Sequence, residues 1–340
     1  MKVKWSVLGS CGIAKRRTIP EGILAAENAE LISVYDINTH TNKELANELG
    51  VRPADSEKDL ISDDADVVYI ATPACLHYQQ VLACAKAGKN VLCEKPLGMT
   101  NEEAEKMVAV CEQTGVKLGA AFMMRFSAQH RAARKLIQDG KLGKPIYARA
   151  QLSCWYPPVE GAWRQNPEMG GGGSLIDMGG HCIDLLEMFF GTVKKVACFT
   201  NNTVHDYKSE DSAVVMLFFE NGATATVDTF FCMPDSSCKN RLELYGSKGS
   251  ILANGTIGQG EAGEMVAYIQ GYDAKQSRSF TDGIVIAPEP MNMYRGEVEE
   301  FSQAILEKRE TLLLAEIGLR NQKIISACYE SAVSGKVVYI

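Results

Sequence analysis

The 340-residue chain has no uninterrupted apolar stretch of the ~20 residues that a bilayer-spanning helix takes, so membrane insertion is not expected. A basic excess is also missing. Lys and Arg number 35 against 42 Asp and Glu, and a formal net charge of -7 gives no footprint for nucleic acid. No Cys-x-x-Cys pair occurs. Cys232 and Cys238 stand closer than most but have no neighbouring histidine, which argues against a structural zinc site. The 11 cysteines are odd in number and scattered, unlike a secreted disulfide framework, and most read as small buried hydrophobes. Repeats and low-complexity segments are missing too. The first residues run straight into a strand pattern without a signal-peptide layout, so cytoplasmic residence is expected.

What is present is an ordinary globular composition, 46% hydrophobic and 23% charged, in a chain long enough for two domains. Short apolar runs at 3–8, 31–35, 67–71, 90–93 and 117–121 alternate with helical patterns at 13–26, 41–49, 76–87 and 101–114. That alternation predicts a parallel sheet covered on both faces, with ligands beyond the carboxyl ends of its strands. After a helix near 127–139 the pattern changes. Strand signals dominate at 146–154, 213–219, 223–231, 241–245, 250–253 and 265–270, and two helices close the chain near 294–308 and 315–331. The fold class is therefore α/β: an N-terminal dinucleotide-binding domain, residues 1–122, and a C-terminal α+β domain, 123–340, with an open, largely antiparallel sheet. The final helix can pack back on the first domain.

Three stretches carry chemistry. The first strand leads into Gly9-Ser10-Cys11-Gly12-Ile13-Ala14, a glycine turn before a helix. Gly9 permits the tight turn, and the helix start offers free N–H groups to a pyrophosphate. Cys11 stands where a glycine is usual, and Gly12 restores part of the close approach. A helix N-terminus tends to lower a thiol's pKa, so Cys11 is expected to be acidified. Asp36 ends the second strand, where a carboxylate accepts from ribose hydroxyls and repels a 2′-phosphate, so NAD is favoured over NADP. The second stretch is Glu94-Lys95-Pro96 after a buried strand, in which Pro96 constrains Lys95. Lys95 reads either as a group held at the cofactor crevice or as a solvated turn lysine. The third is the glycine run 170–173 leading to Asp177 and His181, spaced i, i+4, with Asp184 three residues on. A carboxylate and an imidazole one turn apart can share a proton or hold a substrate hydroxyl; alternatively they are a satisfied histidine beside a capping aspartate. A metal would want a third ligand, and none is evident, so no metal is expected.

Together these stretches resemble the Gfo/Idh/MocA oxidoreductases, a family named for glucose–fructose oxidoreductase, inositol dehydrogenase and a rhizopine catabolism protein. The resemblance also takes in Ala71-Thr72-Pro73 with His77, Arg125-Phe126, Trp163-Arg164 and Tyr245-Gly246-Ser247-Lys248-Gly249, in family order across nearly the whole chain. It implies a Rossmann domain followed by a sheet-rich domain, and hydride transfer between nicotinamide C4 and a secondary alcohol or ketone of a sugar, inositol or related polyol. Lys95, Asp177 and His181 match the family's catalytic trio. The cofactor residues it implies are Gly9, Cys11, Gly12, Ile13, Asp36, Thr72, Pro73, His77, Glu94, Lys95, Arg125, Trp163 and Arg164. Lys95, Trp163, Asp177, His181 and Tyr294 are the candidate substrate contacts. Arg125 can equally tie domains together, and Trp163 and Arg164 can equally be a packed tryptophan and a salt-bridged arginine. The expected partners are a small sugar or polyol and a second copy of the chain, as a homodimer or homotetramer through the C-terminal sheet, with neither nucleic acid nor membrane. Two alternatives share the fold: a glycosidase using bound NAD, and a non-catalytic cofactor-bound regulator.

Overall fold

The computed structural model describes residues 1–260, 263–269 and 282–340. The chain divides into two compact units. The first contains Met1–Met123, Glu168–Gly171 and Asn292–Gln322; the second contains Met124–Pro167, Gly172–Met291 and Lys323–Ile340. Residues 168–171 and 292–322, counted with the second domain in the sequence reading, thus cluster with the first unit.

The first unit is built on the strands β1 (Val3–Leu8), β2 (Ala29–Tyr35), β3 (Arg52–Pro53), β4 (Val67–Ile70), β5 (Asn90–Glu94) and β6 (Leu118–Ala121), in the order β3-β2-β1-β4-β5-β6. Every pairing in this sheet is parallel. Its strands are apolar nearly throughout because helices cover both faces: Trp5, Val7, Leu8, Val67, Tyr69 and Ile70 are all fully buried. The helices between strands begin and end where the sequence signals them. The Asn38 side chain accepts from Thr41 N–H, Thr100 accepts from Glu103 N–H, and Gly115 closes the helix Asn101–Thr114 at φ 72°. The first helical segment, Ser10–Ile23, is wider than an α-helix, with Leu24 N–H bonding Ile19 C=O and a non-helical Gly12. Pro20 inside it lacks an N–H, and widening accommodates its ring.

The helix Met293–Leu306 completes this unit. Trp5 Nε1 donates to Ser302 Oγ at 3.0 Å, and the Phe301 ring meets Trp5 edge-on at 5.9 Å. Residues 313–314 cover the outer edge of β6, where Ala120 N–H bonds Leu313 C=O. Both contacts explain why a late segment clusters with the first strands.

The second unit carries a sheet in the order β14-β13-β12-β11-β7-β10-β9-β8-β15. In chain order these strands are β7 (Pro145–Ser153), β8 (Val193–Asn201), β9 (Ser212–Phe219), β10 (Thr224–Phe230), β11 (Arg241–Gly246), β12 (Gly249–Asn254), β13 (Glu264–Ile269), β14 (Ile284–Val285) and β15 (Val338–Tyr339). Only β7 and β10 run parallel; the other pairings are antiparallel. Strand β8 escaped the sequence reading. A register shift between Val193 and Lys195 breaks its alternation, so its buried Val193, Val196 and Cys198 do not keep a strict period of two. Position 270, expected to end β13, lies outside the described residues. Among the described residues no helix is long and apolar enough to cross a membrane.

Phe301→Ala is expected to lower stability by about 3–5 kcal/mol, read as a fall in the denaturant midpoint. A shift within error would mean that this helix is not part of the first unit's core.

Candidate active site

The strand order of the first sheet reverses between β1 and β4, and the loops after these strands approach one another there. Gly9 has φ 81°, and a Cβ on it would lie 2.7 Å from the Ala71 carbonyl and the Thr72 nitrogen, so no other residue fits. Gly12 is exposed, and a Cβ there would meet nothing within 4 Å. The backbone of the turn is therefore open on the side where a diphosphate would lie. Asp36 ties the turn to β2. One carboxylate oxygen accepts from Cys11 N–H at 2.9 Å and the other from Asn38 N–H at 2.9 Å. Each oxygen keeps a further lone pair for a ribose hydroxyl. These groups fit a nicotinamide dinucleotide.

Cys11 corrects one expectation. Burial, with the Asp36 charge, raises its thiol above the usual value instead of lowering it.

His77, a cofactor candidate by sequence, is enclosed by protein groups. It is 1% exposed, and its two ring nitrogens face protein carbonyls, Nδ1 at 2.8 Å from Pro96 O and Nε2 at 2.9 Å from Thr72 O. The ring staples the loop after β4 to the residue that follows Lys95. Thr72 also turns its hydroxyl inward, to Gln80 Oε1 at 2.6 Å, and Pro73 precedes the helix Ala74–Lys86. Glu94 points Oε1 at the buried Tyr69 hydroxyl, 2.5 Å away. Lys95 is half-buried in the turn that starts there, and the Lys95–Pro96 peptide is cis. Tyr294, a candidate substrate contact by sequence, is 3% exposed in the first unit, and its phenol is pushed up by burial. The apolar side of its helix takes it into the core of the first unit.

In the second unit the glycine run is shaped by close contacts. A Cβ on Gly172 would fall 1.9 Å from Tyr329 Oη, and one on Gly173 would fall 1.9 Å from Glu210 O. Glu210 caps the segment that follows, accepting from Gly173 N–H at 2.8 Å, Leu175 N–H at 2.9 Å and Tyr329 O–H at 3.0 Å. Glu210 carried no sequence signal, because its role depends on a contact 35 residues away from Leu175. A wide helical turn, Leu175–Gly179, carries Asp177, and the helix Gly180–Phe190 carries His181 near its start. Such wide turns recur at functional sites.

Two ion pairs fix this helix. Arg164 Nε donates to Asp177 Oδ1 at 3.0 Å, and its guanidinium lies 4.1 Å above the Trp163 ring. Arg125, expected at the cofactor, instead forks Asp184: Nε lies 2.9 Å from both carboxylate oxygens and Nη2 lies 2.6 Å from Oδ1. The Asp184 side chain is 2% exposed, and a buried carboxylate of this kind needs its cation. Arg125 therefore holds the His181 helix. Asp177 and His181 are both in place on one helical segment, and His181 is 8% exposed. Among the described residues no group of three or more His, Cys, Asp or Glu side chains gathers as a metal site would.

Residues 3–122 match the family model described as "Oxidoreductase family, NAD-binding Rossmann fold", and residues 130–252 match the "GFO/IDH/MocA C-terminal domain". The chain is 30% identical over 338 residues to a D-xylose 1-dehydrogenase (NADP(+)) of Haloferax volcanii, covering 98% of both proteins. It is 28% identical over 341 residues to a 1,5-anhydro-D-fructose reductase of Ensifer adhaerens, covering 99% of this chain and 98% of that one. An aldose-aldose oxidoreductase from Caulobacter crescentus, crystallised with glycerol, superimposes with a TM-score of 0.89 at 26% identity over 100% of both chains.

Proposed function

Because the chain belongs to the GFO/IDH/MocA family of oxidoreductases, we propose that it moves a hydride between nicotinamide, NAD in preference to NADP, and a secondary alcohol or ketone of a sugar or related polyol. The observation that carries this reading is the Arg164–Asp177 pair set one helical turn before His181. It is the arrangement that an alcohol oxidation needs: a base, and a fixed carboxylate to orient it or the substrate. The named relatives act on sugars, which supports the substrate class.

In the oxidative direction the O–H proton of the substrate passes to the His181 imidazole as the C–H hydride leaves, and a ketone forms. In reduction His181 returns the proton. Asp177, held by Arg164, orients the imidazole or an adjacent hydroxyl. Lys95 donates a hydrogen bond to the reacting oxygen and opposes the negative charge that builds there. A bound nicotinamide supplies the hydride-accepting carbon, C4. Gly9, Cys11, Gly12 and Ile13 would hold the diphosphate through backbone N–H groups, and Asp36 the adenosine ribose. A carboxylate at that position disfavours the 2′-phosphate of NADP, although the Haloferax relative is named for NADP.

The open face of the second sheet bears on assembly. Phe199 is 75%, Met216 46% and Val214 42% exposed, side by side on β8 and β9. Tyr147 and Tyr245 stack at 6.0 Å on β7 and β11, and Arg149 pairs with Asp228 at 3.0 Å. An apolar strip framed by satisfied polar groups suits a second copy of the same face.

Three outcomes test this reading. His181→Ala is expected to lower kcat by about a hundredfold or more with NAD binding retained, and a loss under about tenfold would remove the imidazole from proton transfer. Asp36→Ser is expected to shift the kcat/KM ratio of NADP over NAD upward by at least about tenfold, the worth of a hydrogen bond to a charged group; an unchanged ratio contradicts the ribose assignment. Met216→Arg is expected to convert a dimer or tetramer to smaller species in sedimentation while the fold persists. A parent chain that sediments as a monomer refutes the sheet interface.

A further inference from the structure

His77 stands in the first turn of the helix Ala74–Lys86, fully enclosed, and its two ring nitrogens meet two acceptors. Nδ1 lies 2.8 Å from Pro96 O and Nε2 lies 2.9 Å from Thr72 O. A carbonyl oxygen only accepts, so each bond needs an N–H from the ring. Burial, against the pull of the two carbonyls, holds the imidazole below its usual pKa, and the Lys95 charge acts in the same direction. The positive end of the helix adds to both. At about pH 7 the ring is therefore neutral, with one N–H for two carbonyls. Its surroundings decide where that proton goes. Thr72 is held without it: its hydroxyl donates to Gln80 Oε1 at 2.6 Å, Gln80 Nε2 donates to Glu57 Oε1 at 2.7 Å, and the Thr72 nitrogen packs against Gly9. Gln80 follows His77 by one helical turn and is buried like it. Pro96 has no N–H, so its carbonyl is the one backbone group by which it can be tied. The shorter of the two ring contacts is the one to Pro96.

We propose that His77 is a positioning residue for Lys95: it donates Nδ1–H to the Pro96 carbonyl and so fixes the turn Glu94-Lys95-Pro96 from which the ammonium works. This rests on Lys95 being a catalytic group. Nε2 then carries a lone pair, and the ring meets Thr72 O by packing alone. The imidazole has one proton to give, so moving it to Nε2 would hold Thr72 and release the Lys95 turn. A released turn loses the set distance between the ammonium and the reacting oxygen. The effect falls on kcat, because the diphosphate and ribose contacts assigned to Gly9–Ile13 and Asp36 do not involve this bond.

The test uses the full chain as parent, His77→Asn, His77→Gln and His77→Leu. In His77→Asn the new amide nitrogen takes the place of ring Nδ1 and can donate to Pro96 O. In His77→Gln it takes the place of ring Nε2 and can donate to Thr72 O. Both bury one neutral amide in the same space, so a merely structural role costs them alike. With nicotinamide cofactor and the best substrate of a panel of D-xylose, 1,5-anhydro-D-fructose and myo-inositol, His77→Asn is expected to keep kcat within about threefold of the parent. His77→Gln and His77→Leu are expected to lose roughly tenfold in kcat at unchanged KM for the cofactor. Two readouts need no turnover. Nitrogen-15 spectra of the histidine-labelled parent at about pH 7 are expected to show His77, one of 5 histidines, as the Nδ1–H tautomer, its signals identified by their loss in His77→Asn. After reductive methylation with labelled formaldehyde, the Lys95 resonance, identified by its loss in Lys95→Arg, is expected to stay in place in His77→Asn and to shift in His77→Gln. An Nε2–H tautomer or a doubly protonated ring in the parent, equal losses of kcat in His77→Asn and His77→Gln, or an unmoved Lys95 resonance in His77→Gln each overturn the proposal. A chain that turns over no sugar of the panel refutes the dehydrogenase reading; the clamp on the Lys95 turn still stands or falls on the tautomer and the Lys95 resonance.

Discussion

The first unit depends on a contact that allows no side chain: the Ala71–Thr72 peptide lies where a Cβ on Gly9 would be. It sits where the strand order reverses, the point at which an open parallel sheet offers its crevice. With Gly9 fixed, the exposed Gly12 presents bare backbone, and the Cys11 N–H reaches Asp36 at the end of the next strand. On the other side, His77 joins the Thr72 carbonyl to the Pro96 carbonyl, so the turn carrying Lys95 is set by the loop that packs on Gly9. One close approach thus coordinates the ends of β1, β2, β4 and β5. Regular structure alone would leave these loops to water.

The second unit solves a related problem with charge. Its site helix follows glycines that must pass within contact of Tyr329 and Glu210, and Glu210 satisfies the N–H groups that this approach leaves unpaired. Two arginines then fix the helix. Arg125 grips the buried Asp184, and Arg164, laid over Trp163, grips Asp177. Breaking the Arg125 pair would strand a desolvated carboxylate, a large penalty against the marginal stability of a domain. The helix carrying His181 is therefore held by two ion pairs.

The alternating runs, the glycine turn, Asp36, the Lys95 turn and the Asp177–His181 spacing were legible because each is a local pattern with a local cause. What escaped is what only distance in sequence creates. Arg125 and Arg164 pair with carboxylates 59 and 13 residues away, partners that no local pattern announces. The two carbonyls that enclose His77 are likewise set by the fold. Tyr294 and residues 292–322 move to the first unit because Trp5 and β6 need covering, which no window of sequence states. Strand β8 was hidden by its bulge.

Family membership is the basis on which hydride transfer from a carbinol carbon to nicotinamide is proposed. The most direct measurement is isotopic. A sugar deuterated at the reacting carbinol carbon is incubated with NAD and the chain, and the reduced nicotinamide is examined by mass spectrometry and NMR. The account predicts deuterium at C4, in equal amount to the ketone formed. Ketone or aglycone appearing without label in reduced nicotinamide, or no reduced nicotinamide from any sugar or polyol, would contradict it.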